Sequence, residues 1–240
     1  MLITRPLKGF SLVELLVSIA VITILAAILI ASTRAIRTHS HKTVSLSNLR
    51  SLQLANMTYA NEHGGKYVPN VSRTETGYRP WYNNREFFAA LGMDSENIGY
   101  YDVFKNMLDP LASSSEINRP DYIYRSYGYN TNGLSINWND FSPDGYGWRV
   151  FDIDHPARTM AFATASDWIV GYGGRFRFFD DPNTSSNGAI SYRYPTDMAL
   201  LVYFDGHTGI ITREDIEKID TIGANNNIFW NPQGTYLEHF

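Results

Sequence analysis

The stretch Lys8-Gly9-Phe10-Ser11-Leu12-Val13-Glu14 runs directly into an apolar run that ends at Ser32, and the rest of the chain is organised around it. Glu14 is the single charge between Phe10 and Ser32. Roughly 20 apolar residues in a helix cross the hydrocarbon core of a bilayer. A secretory signal peptide has a shorter apolar region, about 7–15 residues, and no acid within it. The segment therefore reads as a membrane helix with a carboxylate near its start. Arg5 and Lys8 precede it, which favours a cytoplasmic N-terminus, while Arg34 and Arg37 on the far side offset that bias.

A carboxylate inside a membrane helix costs about 2.5–3.5 kcal/mol on insertion scales, so Glu14 calls for a partner. A cut after Gly9 creates one, because the new α-amino group of Phe10 is a cation one helical turn from Glu14. Two pairings are open: within one chain, or between Glu14 of one chain and the amine of its neighbour. The second would set the stagger of subunits in a fibre.

Lys8-Gly9, Phe10, Glu14 and the apolar helix behind them resemble the type IV prepilin and type II secretion pseudopilin family. The resemblance implies that a prepilin peptidase cuts after Gly9, that Phe10 is N-methylated, and that Glu14 is the assembly carboxylate. It implies other pilin or pseudopilin subunits, an inner-membrane assembly platform and the lipid bilayer as partners. It also implies a single-pass protein of the bacterial inner membrane with its C-terminal domain in the periplasm, assembled into a filament or displayed at the surface. The organisation expected is a leader over 1–9, a transmembrane helix over 10–32, an exposed continuation over 33–63 and a globular domain over 64–240.

Neither Gly nor Pro occurs between Phe10 and His63, so one helix of about 80 Å is expected at 1.5 Å per residue, with Gly64-Gly65 as its stop. Leu46, Leu49, Leu52, Met57, Tyr59 and Ala60 share one side of that helix and should face the domain. The polar run Thr38-His39-Ser40-His41-Lys42-Thr43 is where the helix would bend or melt. His39 and His41 do not face each other at a spacing of two, so they read as solvated neck residues.

Past Gly65 the pattern changes to short aromatic and β-branched runs divided by turns. Helices are expected at 85–91 and 101–108, and strands at 122–129, 149–153, 160–164, 175–179 and 200–204. Asp205-Gly206 marks a hairpin with positive φ at both turn positions. The fold expected is α+β and pilin-like: a long N-terminal helix, its first half transmembrane, packed against an antiparallel β-sheet with long loops. Asn48-Leu49-Arg50, Tyr59, the run from Gly64 to Pro69, Ser126-Tyr127-Gly128-Tyr129-Asn130 and the run from Val202 to His207 resemble the large pseudopilin-like proteins of planctomycete and verrucomicrobial bacteria. Pro195 stands where those proteins carry a His, and their cysteines are missing here.

The chain has 240 residues, a net charge of −4 and no cysteine. The acidic balance argues against a nucleic-acid partner. Thiolate zinc sites, disulfides and Cys nucleophiles are excluded outright. No Gly-x-Ser-x-Gly elbow, phosphate-binding glycine loop or His-Glu-x-x-His helix is present, so no catalytic residue is assigned. Asp205-Gly206-His207 and the group Asp152, Asp154 and His155 hold ligand-type side chains but read as turns and a strand end. Asp180-Asp181 reads as a turn before Pro182. Asn137, Asn139, Asp140 and Asp144 suit calcium in kind, with a spacing unlike the EF-hand loop. The expectation is no cofactor and no resident metal, with Asp140 and Asp144 the positions calcium would take. Trp81, Trp138, Trp148 and Trp168 are the aromatics that would serve a rival reading, a membrane-anchored surface protein that binds glycan and does not polymerise. An anchored hydrolase is the third reading.

Overall fold

The computed structural model describes residues 11–75, 77–93, 107–112, 126–132, 134, 145–174, 188–221 and 226–234. The chain divides into two compact units, Met1–Ser40 and His41–Phe240. Helix α1 covers Leu12–Glu62 and continues through the polar run at 38–43, so the expected break there is not seen. Its end is set by two glycines at positive φ, Gly64 (61°) and Gly65 (81°), with Gly65 N–H donating back to the Ala60 carbonyl at 2.8 Å. That six-to-one bond is the signature of a glycine-terminated helix.

Within the first unit, Leu12–Ile30 is long and apolar enough to cross a membrane by length and composition, and its side chains are exposed. Its hydroxyls turn inward to their own helix. Ser18 donates to the Glu14 carbonyl at 2.7 Å, and Thr23 to that of Ala20 at 2.8 Å. This removes polar groups that a bilayer could not satisfy.

The second unit holds two sheets. A hairpin pairs β1 (Val71–Thr74) with β2 (Gly77–Pro80). A 3-10 turn at Trp81–Asn83 leads into α2, Arg85–Ala90, whose first amides donate to the Asn84 side chain. The main sheet contains β3 (Tyr127–Asn130), β4 (Met160–Thr164), β5 (Ile169–Val170), β6 (Met198–Tyr203) and β7 (Thr208–Thr212), in the order β5-β3-β4-β6-β7. It is antiparallel throughout, except that β3 and β5 run parallel. Helix α3, Arg213–Thr221, follows β7.

Strand alternation divides the core in two. Leu200 and Val202 of β6 face one cluster with Leu49, Leu52, Tyr59, Trp81 and Phe162. Ala199 and Leu201 face the other, with Ile211, Ile216, Phe229 and Trp230. The sheet is therefore covered by α1 and α2 on one side and by α3 with the 227–230 segment on the other.

The expected α1 face is buried at Leu49, Leu52, Tyr59 and Ala60, and half-buried at Leu46 and Met57. The expected strand at 160–164 is β4, that at 200–204 is β6, and the expected helix at 85–91 is α2. The expected strand at 149–153 is instead a 3-10 turn, Val150–Asp152. Asp152 causes this: its carboxylate accepts from the Arg149 amide at 3.0 Å and closes the chain locally instead of leaving it open for a sheet. The β6–β7 turn forms at Asp205-Gly206, but only Gly206 has a positive φ, 92°. Gly206 N–H donates to the Tyr203 carbonyl, giving a four-residue turn followed by a left-handed glycine rather than a two-residue one. The second half of the expected strand at 122–129 falls in β3, while 122–125, residues 101–106 of the expected helix at 101–108 and the whole expected strand at 175–179 lie outside the described residues.

Candidate functional site

The described start of α1 is a reciprocal cap. Ser11 N–H donates to Glu14 Oε2 at 2.9 Å, and Ser11 Oγ accepts from Val13 N–H at 3.3 Å. The pattern Ser-x-x-Glu satisfies donors that the first helical turn would otherwise leave bare, and it puts a negative charge at the positive end of the helix. The sequence contains this box, Ser11-Leu12-Val13-Glu14, yet reading Glu14 for its charge alone overlooks it. One carboxylate oxygen is thus engaged by the chain's own backbone. The other makes no hydrogen bond to a described residue. Gly9 and Phe10, the expected cleavage and methylation positions, lie outside the described residues.

Further along, α1 is fastened to the sheet by polar side chains that its apolar periodicity does not reveal. Ser45 and Tyr127 hydroxyls meet at 3.0 Å, and Asn48 donates to the same Tyr127 oxygen at 3.2 Å. Gln53 Nε2 donates to the Phe204 carbonyl at 2.7 Å, at the end of β6. Asn56 accepts from Val68 N–H at 2.9 Å and donates to the Tyr129 hydroxyl at 3.2 Å. Ser45, Gln53 and Asn56 are fully buried. The available signal was spacing, since these residues fall at helical intervals beside Leu49 and Leu52. Burial pushes the Tyr127 and Tyr129 hydroxyls well above the ordinary tyrosine range, so both stay protonated.

A buried ion pair lies at the same end of the sheet. Asp109 is inaccessible, and its carboxylate receives Arg193 Nη1 at 3.2 Å, the Tyr194 hydroxyl at 2.8 Å and Leu111 N–H at 3.0 Å. Arg193 Nη2 donates to the Ala165 carbonyl at 2.9 Å. This is a satisfied network, not a site with room for a substrate.

The remaining candidates resolve into structural roles. Asp205 accepts from both the backbone and the ring of His207, at 3.0 and 2.6 Å, which closes the turn on itself. Asp152 caps its 3-10 turn, and Asp154 N–H donates to the Pro232 carbonyl. Among the described residues no three His, Asp or Glu side chains converge as metal ligands. Asn137, Asn139, Asp140, Asp144, Trp138, Asp180 and Asp181 lie outside the described residues. Trp81 is fully buried against Phe87 and Phe162, with its indole N–H on the Trp168 carbonyl at 2.6 Å. Trp148 is also in the core, so neither indole offers a face to a sugar.

Among families of known proteins, residues 5–30 match the one described as the prokaryotic N-terminal methylation motif. Neither a curated protein nor a solved structure matches the chain. The match covers the capped, unburied apolar helix start and Glu14, and it indicates a chain of the type IV prepilin and pseudopilin-like family.

Proposed function

We propose that this chain is a structural subunit of a type II secretion pseudopilus or type IV pilus-like filament, cut by prepilin peptidase after Gly9 and N-methylated on Phe10. The observation that carries the reading is the coincidence of the methylation motif with an exposed apolar helix of membrane-spanning length. Before assembly such a helix sits in the bilayer as a single span. In a filament it packs against the same helix of other subunits, and the domain from His41 onward is what the fibre displays. The reading assigns assembly, not catalysis, with the inner membrane and periplasm as the setting.

Glu14 has two tasks in this scheme. Its Oε2 caps the helix through Ser11, and its second oxygen is left for the amine that cleavage creates at Phe10, in the same chain or in a neighbour. Mass spectrometry of the mature protein should show an N-terminus at methylated Phe10, and substitution of Gly9 should abolish the cut. Glu14→Ala should leave processing intact while filaments, or cross-linked multimers, are lost. An intact Met1 or a cut near Ser32 would refute the proposal.

A further inference from the structure

At the C-terminal end of α1 the second unit carries a strongly cationic cleft that the assembly reading does not use. Its volume is about 450 Å³, and its walls come from the helix end, the β1–β2 hairpin and the segment before the 3-10 turn at Val150–Asp152. Lys66, Arg73, Arg79 and Arg149 line it, against one acid, Glu86. Glu86 is already engaged by His63 Nε2 at 3.0 Å. The other His63 ring nitrogen is 2.7 Å from the Tyr59 carbonyl, and its ring stacks on Tyr59 at 3.7 Å.

The guanidinium groups of Arg73, Arg79 and Arg149 form no ion pair with a described residue. Arg149 instead lies over the Phe151 ring at 5.6 Å. In a chain of net charge −4, gathering these three guanidinium groups around one concavity favours an anionic occupant. The volume falls in the range of cavities that hold small organic ligands, of roughly 300–1,000 Å³, and is far more than a single inorganic anion fills. Planar guanidinium groups match carboxylate geometry in a bidentate way. Beside them, Tyr78 stands directly across the hairpin from Arg73 and is 59% exposed, an aromatic ring at the surface where sugar rings stack.

From this set we infer that the cleft binds an acidic glycan, a saccharide of two or three rings carrying carboxylates. The carboxylates meet Arg73, Arg79, Arg149 and Lys66, and a ring rests against Tyr78. The site belongs to the displayed domain and does not depend on whether the subunit polymerises, so a failed filament assay and a failed binding assay are separate results.

The test is calorimetric titration of the full-length protein in detergent micelles with trigalacturonate. Three comparison probes are used: a neutral galactose trimer, a triglutamate peptide and inorganic phosphate. Trigalacturonate should bind, and raising the salt should weaken it because the contacts are ionic. The Arg73→Gln/Arg79→Gln variant should bind about tenfold or more weakly. Both side chains are exposed, so the variant should keep the parent's circular dichroism. If it does not, Lys66→Gln serves as the second variant. Arg50→Gln, on the exposed side of α1, should change nothing. The inference is overturned if trigalacturonate fails to bind, if the cleft variants bind it as tightly as the parent, or if the neutral trimer, phosphate or triglutamate binds equally well.

Discussion

Replacing Arg193 by Ala isolates the contribution of one buried charge. Asp109 is completely inaccessible and Arg193 nearly so, with 11% of its side chain exposed. After the substitution Asp109 keeps the Tyr194 hydroxyl and the Leu111 amide but loses its only cation among the described residues. Removing one partner of a buried pair costs about 3–5 kcal/mol, because the other charge stays desolvated without compensation. For a domain near 200 residues, 1 kcal/mol moves the melting temperature by roughly 2–4 °C, so the expected fall is roughly 6–20 °C. Urea denaturation in micelles, followed by tyrosine and tryptophan fluorescence, should show the midpoint fall with an unchanged slope. The double variant Asp109→Asn/Arg193→Ala should recover a large part of the loss, since no buried charge remains to be compensated. A loss below about 1 kcal/mol, or the same loss in the Asp109→Asn background, would refute the assignment of Arg193 as the counter-charge.

Two other expectations rest on single features. At Gly128, in the centre of β3, an added Cβ would lie 2.7 Å from Val170 Cγ1 and 2.8 Å from the Ile169 carbonyl group. Gly128→Ala should therefore push β5 off its parallel pairing and destabilise the domain by about 1–3 kcal/mol, measurable by the same denaturation. A neutral result would mean that the β3–β5 approach is looser than described. The buried tyrosines set an alkaline limit. Burial raises the hydroxyls of Tyr127, Tyr129, Tyr192 and Tyr194 above the unfolded value of 10.0, so the unfolded chain releases those protons first. Their contribution is complete below pH 10.0 and is lost as pH rises past it, so the urea midpoint should be flat up to about pH 9 and then fall steeply. Tyrosinate absorbance from these residues should rise only together with unfolding.

The chemistry of the N-terminal stretch is local, and local chemistry is legible in a sequence. A membrane-length helix follows from apolar length, its stop from Gly64-Gly65, and the strand at Met160–Thr164 from a short, mostly apolar run between turns. The cap at the candidate site is equally local, since the Ser11 amide meets Glu14 three residues on and the Val13 amide meets Ser11 Oγ, contacts that need only a helix to form.

What lay beyond reach depended on chain crossings. Asp109 and Arg193 are 84 residues apart, and nothing in either neighbourhood names the other as its partner. Gln53 and Asn56 look like solvent residues on an amphipathic helix until β6 and the Tyr67-Val68 segment arrive with a carbonyl and an amide to satisfy them. The parallel seat of β5 and the cationic cleft have the same origin. Arg73, Arg79 and Arg149 sit in segments with no shared period and become one surface only when the hairpin folds over the end of α1. Sequence alone determined where the chain could be helical, where it must turn and what chemistry its first turn presents, because those depend on neighbours within a few residues. Tertiary structure decided which polar groups are buried and which charges share a surface, because burial and charge clustering are properties of segments brought together by the topology.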